Sequence, residues 1–306
     1  MKTITFIGGS GFFGKSYIDA FNRGVLKKFK IKKINLISRN IKKLKKTKII
    51  LDNIELIAAD VSKLKKLPKS DLIIYAADKA NLKNVKNVKK FISSSKKSID
   101  NFCEIAKLQK KAKILYISSG AVYRLKKDNL KNINLITKKQ LYAFNKVYSE
   151  NKIKSLRHFK IKTSIARCFT FVGPWLPRKS NFAIGNFIDN VLNQKKIHVK
   201  ANSKVFRSYM YSDDLVYWLT KICINAKIDT LILNVGSDKS IEIRSLAKLF
   251  ARLFKVKIKF NKLKGKKIDK YIPNIKESKI KLGLKIKYNL KDSIILTINK
   301  IHEKNN

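Results

Sequence analysis

A phenol and an ammonium four residues apart carry the first chemical signal in this chain. Tyr142 and Lys146, in "YAFNK", share one face if the stretch is helical. The cation favours the phenolate form of its neighbour, which makes Tyr142 a usable general acid/base. In a chain with 62 lysines the Y-x-x-x-K spacing alone says little. Its place in the chain gives it weight. Ser119, in "YISSGAVY", precedes it at the end of a predicted strand, where parallel sheets place their sites. A hydroxyl there can bond the oxygen of a carbon that gives or receives hydride. Upstream, "TFIGGSGFFGKSYIDAF" holds Gly8, Gly11 and Gly14 in a G-x-x-G-x-x-G turn between a strand and a helical pattern. The first glycine permits a tight turn, the second lets backbone approach a pyrophosphate, and the third packs helix against strand. The helix N-terminus, starting at Phe12 and Phe13, offers free N–H groups and a positive dipole end to an anion.

The residue after the second strand selects between dinucleotides. An acid there bonds the ribose 2′-hydroxyl, and a nearby arginine suits a 2′-phosphate. The stretch here is "ISRN", with Ser38 and Arg39 and no carboxylate, which favours NADP over NAD. Asp60, ending "IAAD", is placed either to bond the adenine amino group or to cap the following "VSKL". Val61 beside it, and Ala76 and Ala77 after the strand "DLIIYAAD", complete the expected cofactor-binding set. The histidines His158, His198 and His302 are scattered, without metal-ligand spacing. Asp213-Asp214, in "YSDDLVYWL", reads as a helix cap rather than as a catalytic pair.

Elements that alternate between strand and helix must position these residues. "TITFI", "KINLIS", "IELIAAD", "DLIIYAAD", "KILYISS" and "IKTSIARCF" are short apolar strand candidates. "FFGKSYIDAFNRGVL" and "SIDNFCEIAKLQKKA" have helical spacing, and Leu141, Phe144 and Tyr148 make a helical stripe. The alternation predicts an α/β chain: a Rossmann-type doubly wound parallel sheet with a smaller C-terminal α+β substrate-binding domain. Pro174 and Pro177 mark where the chain leaves the first sheet. Residues 1–172, with 205–237 returning, are assigned to the dinucleotide domain, and 173–204 with 238–306 to the substrate-binding portion. "VFRSYMYS" is read as one strand.

Composition narrows the rest. The 306 residues suffice for one large core or two smaller ones. The net charge of +51 invites a nucleic-acid reading, but only nine of the 71 basic residues are arginines and the lysines lie in almost every block. They alternate with Ile and Leu rather than with the aromatics that read bases. A solvated surface with lysine-rich codon bias is the expectation, with no specific nucleic-acid partner. No apolar run is long enough to span a bilayer, and the N-terminus lacks a signal-peptide pattern. Three widely spaced cysteines point to reduced thiols in a cytoplasmic protein.

Taken together, these motifs resemble the extended short-chain dehydrogenase/reductase family, the NAD-dependent epimerase/dehydratase group that modifies nucleotide sugars. "FIGGSGFFG" is similar to its nucleotide loop, "YISSGAVY" to its Ser/Thr strand and Tyr142 to Lys146 to its catalytic helix. "ARCFTFVGPW", "RSYMYSDDLVYWL", "LNVGSDKSIEIRSLAKL" and "LGLKIKYNLKDSI" look like its later segments. The resemblance implies a nucleotide-sugar substrate, Ser119, Tyr142 and Lys146 as catalytic residues, and Lys146 on the nicotinamide ribose. It implies Asn186 and Arg207 on the substrate diphosphate, and a homodimer. Family 4,6-dehydratases carry an Asp-Glu pair after the Ser/Thr; Gly120 and Ala121 stand there, so elimination lacks its acid/base pair. Arg124 and Thr170 replace a glycine and an asparagine common in the family. The expected activity is an epimerase or 4-keto-reductase. The alternatives are a dehydratase-like member or a non-catalytic Rossmann-fold RNA-binding or scaffold protein.

Overall fold

The computed structural model of the chain describes residues 2–41, 44, 49, 51–78, 85, 87–125, 136–137, 140–180, 182–264 and 268–305. Two compact units divide it: Met1–Cys168 with Val216–Asn234, and Phe169–Leu215 with Val235–Asn306. The segment returning to the first unit is therefore shorter than the expected 205–237.

The first unit is built on the apolar runs. Strand β1 (Lys2–Ile7) buries Ile4, Thr5, Phe6 and Ile7, so both faces of its C-terminal half are covered. That is the pattern of a central strand in a parallel sheet. β2 (Ile31–Ser38), β3 (Ile54–Ala58), β4 (Leu72–Tyr75), β5 (Lys113–Ser119) and β6 (Lys162–Cys168) follow. With β11 (Leu231–Val235) they form one seven-stranded sheet, ordered β11-β6-β5-β4-β1-β2-β3. The β1–β2, β2–β3, β1–β4, β4–β5 and β5–β6 pairs are all parallel. Strand order reverses between β1 and β4, the switch point at which such Rossmann-type sheets open a crevice. Helices α1 (Phe12–Asn22), α2 (Val88–Ala106) and α3 (Leu141–Ser155) belong to the same unit. α1 stops before Gly24, whose φ of +75° is left-handed, so the helical pattern through Leu26 is cut short. A core of Ile37, Tyr75, Phe102, Tyr116, Ile153 and Ile165 lies among the strands, α2 and α3.

In the second unit, β7 (Phe171–Val172) pairs with β10 (Met210–Tyr211). β9 (Lys204–Arg207) lies between β12 (Ile241–Glu242) and β14 (Ile268–Tyr271). β8 (Ile197–Val199) pairs with β13 (Ile258–Phe260). "VFRSYMYS" is thus two strands, because its halves serve different sheets on either side of Ser208-Tyr209. Helices α4 (Ala183–Leu192) and α6 (Ile243–Phe254) meet through Phe187 and Phe250, ring centroids 5.7 Å apart. α5 (Ser212–Ile224) begins in this unit and ends in the first. α7 (Lys276–Leu282) and α8 (Leu290–Asn305) close the chain. Asp213 and Asp214 stand in the first turn of α5, at the helix start as expected, but Asp214 is not spent on its own helix. Asp214 Oδ2 instead accepts the Lys287 and Tyr288 N–H groups, at 3.0 and 3.1 Å.

Sterics explain two of the three glycines. Gly8 has φ +92°, and a Cβ there would lie 2.6 Å from the Ala76 carbonyl carbon and oxygen. A Cβ on Gly14 would lie 2.2 Å from Gly9 O, so α1 abuts the turn directly. Gly11 differs: its nearest neighbour would be Gly8 O at 3.7 Å, an ordinary contact.

Gly14→Ala is therefore expected to destabilise the fold by about 1–3 kcal/mol through overpacking, and Gly11→Ala to leave the melting temperature nearly unchanged. Thermal unfolding of the two variants side by side checks this. Asp214 yields a second expectation. Burial raises its carboxyl pKa to about 6, against two backbone N–H bonds that lower it. The folded chain then keeps this proton to higher pH than the unfolded chain, so the Asp214 contribution to stability declines as pH rises from about 4 through 6. Asp214→Asn should lack that decline when chemical denaturation is compared across this pH range.

Candidate active site

Residues from both sides of the switch point converge on a cavity of about 280 Å³. Gly8, Ser10 and Gly11 from the glycine turn line it, with Ser38, Arg39, Asp60, Val61, Ala76, Ala77 and Asp78 from the ends of β2, β3 and β4. Helix α2 contributes Phe91, Ser94, Ser95 and Ser98. Eight expected cofactor residues thus share one wall: Gly8, Gly11, Ser38, Arg39, Asp60, Val61, Ala76 and Ala77. Phe12 and Phe13 do not line it; their rings pack on each other with centroids 5.5 Å apart. Gly14 acts behind the wall, through the close approach described above.

Small polar contacts hold the rim. Ser38 Oγ donates to Ser10 Oγ at 2.9 Å, tying the end of β2 to the glycine turn. Asp60 caps its own turn: Oδ1 accepts from the Ser62 N–H and Oγ, both at 2.9 Å. The Ser62 N–H is the leading reason its carboxyl sits below the usual range. Its other oxygen, Oδ2, is 3.8 Å from Arg39 Nη1. With the Arg39 side chain 61% exposed, that pair is weak and the guanidinium can turn to another anion.

The polar residues of α3 meet this wall from the β5 side. Lys146 Nζ donates to the Ile117 carbonyl at 2.5 Å and to Asp78 Oδ2 at 2.8 Å. It lies 5.7 Å from the centroid of the Tyr142 ring. The lysine side chain is 5% exposed. Burial is the largest influence and disfavours its charge, but Asp78 and Tyr142 together hold the ammonium pKa above the usual lysine value. Tyr116 OH also donates to Asp78 Oδ2, at 2.7 Å, and burial keeps that phenol protonated. One turn beyond Lys146, the buried carboxylate of Glu150 accepts from Ser118 Oγ and from Arg167 through both its oxygens. This clamps α3 against β5 and β6. Ser119 ends β5, two residues beyond the carbonyl that Lys146 holds, and its Oγ accepts the Ala121 N–H at 3.2 Å. α3 packs on β5 and on the 120–124 turn, so Ser119 and Tyr142 lie on contacting elements.

The two expected substrate residues lie in the second unit with their side chains engaged. Asn186 Oδ1 accepts the Ser180 N–H and its Nδ2 donates to Ser180 O. Arg207 Nη2 is 2.6 Å from Asp269 Oδ2, and Nη1 donates to the Phe206 and Asp269 carbonyls. Sequence reasoning missed Asp78, although "DLIIYAAD" ends like "IELIAAD" and an acid directly after a parallel strand was a usable signal. It also missed Glu150, a third polar residue on the Tyr142–Lys146 face, and the α2 serines. Cys103, Cys168 and Cys223 are buried free thiols pushed up to about 12 by burial, which leaves them unreactive. Among the described residues no group of His, Cys, Asp or Glu could hold a metal ion, and no helix is long and apolar enough to cross a membrane.

The geometry agrees with what the chain is similar to. A dTDP-D-glucose 4,6-dehydratase of Dictyostelium discoideum is 29% identical over 195 residues, 59% of this chain and 44% of the relative. A probable UDP-glucuronate 4-epimerase of Rhizobium meliloti is 24% identical over 168 residues, 54% of this chain and 49% of the relative. The matched segments therefore span about half the length of these relatives. The solved UDP-glucose 4-epimerase of Thermotoga maritima superposes with a TM-score of 0.78 at 15% identity, covering 99% of this chain and 100% of that one. The UDP-glucuronic acid 4-epimerase of Bacillus cereus, in complex with UDP-glucuronic acid and NAD, gives 0.78 at 17%, covering 98% and 99%. At such identities the likeness is one of fold. A family model matches residues 4–236, and the chain belongs to the NAD-dependent epimerase/dehydratase family.

Proposed function

We propose that this chain is an NAD(P)-dependent nucleotide-sugar epimerase or 4-keto-reductase. One observation carries the reading. A charged, buried Lys146 stands beside the Tyr142 ring and is tied through Asp78 to the cavity under the glycine turn. The residues present fit a dinucleotide. Gly8 lets the turn sit against the Ala76 backbone where a Cβ would clash, Gly11 faces the cavity without crowding, and the N-terminus of α1 directly after Gly11 would supply N–H groups to an anion there. When bound, the nicotinamide supplies the hydride chemistry.

The chain's own groups do the rest. Tyr142 moves the proton at the sugar hydroxyl or carbonyl oxygen. Lys146 supports the phenolate and holds the nicotinamide ribose. Ser119 orients the same sugar oxygen, with α3 held by the Glu150–Arg167 pair. Asn186 and Arg207 are assigned to the sugar-nucleotide diphosphate, for which a guanidinium is chemically suited. Arg207 would then exchange or share Asp269. Gly120 and Ala121 supply no acid/base group next to Ser119, which weighs against dehydration. Arg39 at the rim, beside Ser38 in a stretch with no carboxylate and only loosely paired with Asp60, supports NADP over NAD. A homodimer belongs to the same reading.

Tyr142→Phe is expected to bind NADH or NADPH as the wild type does and to lose about 100-fold or more in turnover. The assay supplies NAD or NADP with UDP-glucose, UDP-glucuronate and dTDP-glucose in turn and follows product sugars by mass spectrometry; turnover retained in Tyr142→Phe removes this mechanism. Arg39→Ala should weaken NADPH roughly threefold to tenfold while sparing NADH. Fluorescence titration of both cofactors checks it, and equal losses would remove the NADP preference.

A further inference from the structure

Asp78 is the residue through which the cavity and the Tyr142–Lys146 pair touch. It lies three residues beyond the end of β4 and lines the cavity. Its Oδ2 takes two donors, Lys146 Nζ at 2.8 Å and Tyr116 OH at 2.7 Å. Its side chain is 18% exposed while that of Lys146 is 5% exposed, so the carboxylate stands between the buried cation and the cavity. The titratable and charged groups facing Lys146 are Asp78, Tyr116, Tyr142 and Cys168. Of these, Tyr116 and Cys168 stay neutral because burial raises both. Asp78 is thus the carboxylate bonded to this ammonium, with Tyr142 the other group that favours its charge. A lysine stem has four rotatable bonds, and its ammonium readily loses its proton when buried without a counter-charge.

We propose that Asp78 is a positioning residue of the dinucleotide site: its carboxylate holds the Lys146 ammonium charged and aimed beside Tyr142, ready for the ribose next to the nicotinamide. The inference rests on the cofactor reading above. A cofactor half that stops at the glycine turn does not need Lys146. The loss of Asp78 is then felt by a whole dinucleotide and not by its adenine half.

The test titrates NADH and ADP against wild type, Asp78→Asn, Asp78→Glu, Lys146→Met and the double variant Asp78→Asn/Lys146→Met. Asp78→Asn should weaken NADH about tenfold or more and ADP less than about twofold. Its NADH affinity should also fail at lower pH on the alkaline side, because Lys146 without its anion loses the proton sooner. Asp78→Glu, which keeps the charge, should lie closer to wild type on both counts. The double variant should bind NADH no worse than Lys146→Met, since Asp78 acts through that lysine. Should Asp78→Asn not fold, the double variant, which buries no unpaired charge, still answers against Lys146→Met. NADH affinity and alkaline limit unchanged in Asp78→Asn, equal losses for ADP, or a further loss in the double variant would overturn the proposal. A wild-type chain that binds none of ADP, NADH and NADPH removes the cofactor reading itself, and this proposal with it.

Discussion

An ammonium group almost cut off from water stands where α3 meets the ends of β4 and β5, and much of the site's architecture follows from making that tolerable. An unpaired buried cation costs far more than a hydrophobic core can spare. Three elements meet at Lys146 to prevent it: α3 delivers the side chain, β5 offers the Ile117 carbonyl, and the end of β4 offers Asp78. The relation between α3 and the strand ends is therefore set by charge as well as by apolar contact. The aromatic layer beneath suits this. Tyr75 packs on Phe102 and on Tyr116, and Tyr116 turns its hydroxyl to the same carboxylate. The layer supplies the low-dielectric surroundings in which one ion pair matters.

The same helix carries a second device. Tyr142, Lys146 and Glu150 are spaced four apart, so α3 presents a polar stripe where a sheet-covering helix normally presents apolar residues. Glu150 spends its carboxylate on Ser118 and on a two-pronged contact with Arg167. Two-pronged pairing of this kind limits sliding and rotation of the helix. Ser118 is the neighbour of Ser119, so the clamp also steadies the strand end that bears the candidate serine.

Much of this was legible in the chain because the relevant signals are local. Runs such as "TITFI" and "KILYISS" are strands by composition and length, and the glycine turn is a backbone requirement written over seven residues. Tyr142 and Lys146 are neighbours by helical period. What stayed hidden depends on distant partners. Lys146 and Asp78 are 68 positions apart, and periodicity assigns a face without naming what lies opposite. Asp214 reads as a cap from its neighbourhood, yet it serves backbone 73 and 74 residues away. "VFRSYMYS" has one strand's composition but divides between two sheets, a matter of topology rather than propensity.

The carboxylates described above have a collective consequence. The chain has 20 acidic residues for 71 basic ones. Asp60, Asp78, Glu150, Asp214 and Asp269 are engaged in caps, clamps and strand ends, and with every acid counted the chain still carries a net charge of +51. Neutrality must come from dissolved anions condensed around the molecule, since self-repulsion on this scale opposes compactness. At physiological ionic strength that atmosphere screens over about 8 Å, and dilution thins it. The native state is thus in effect an assembly of polypeptide and counter-ions, with the buffer as one of its structural components.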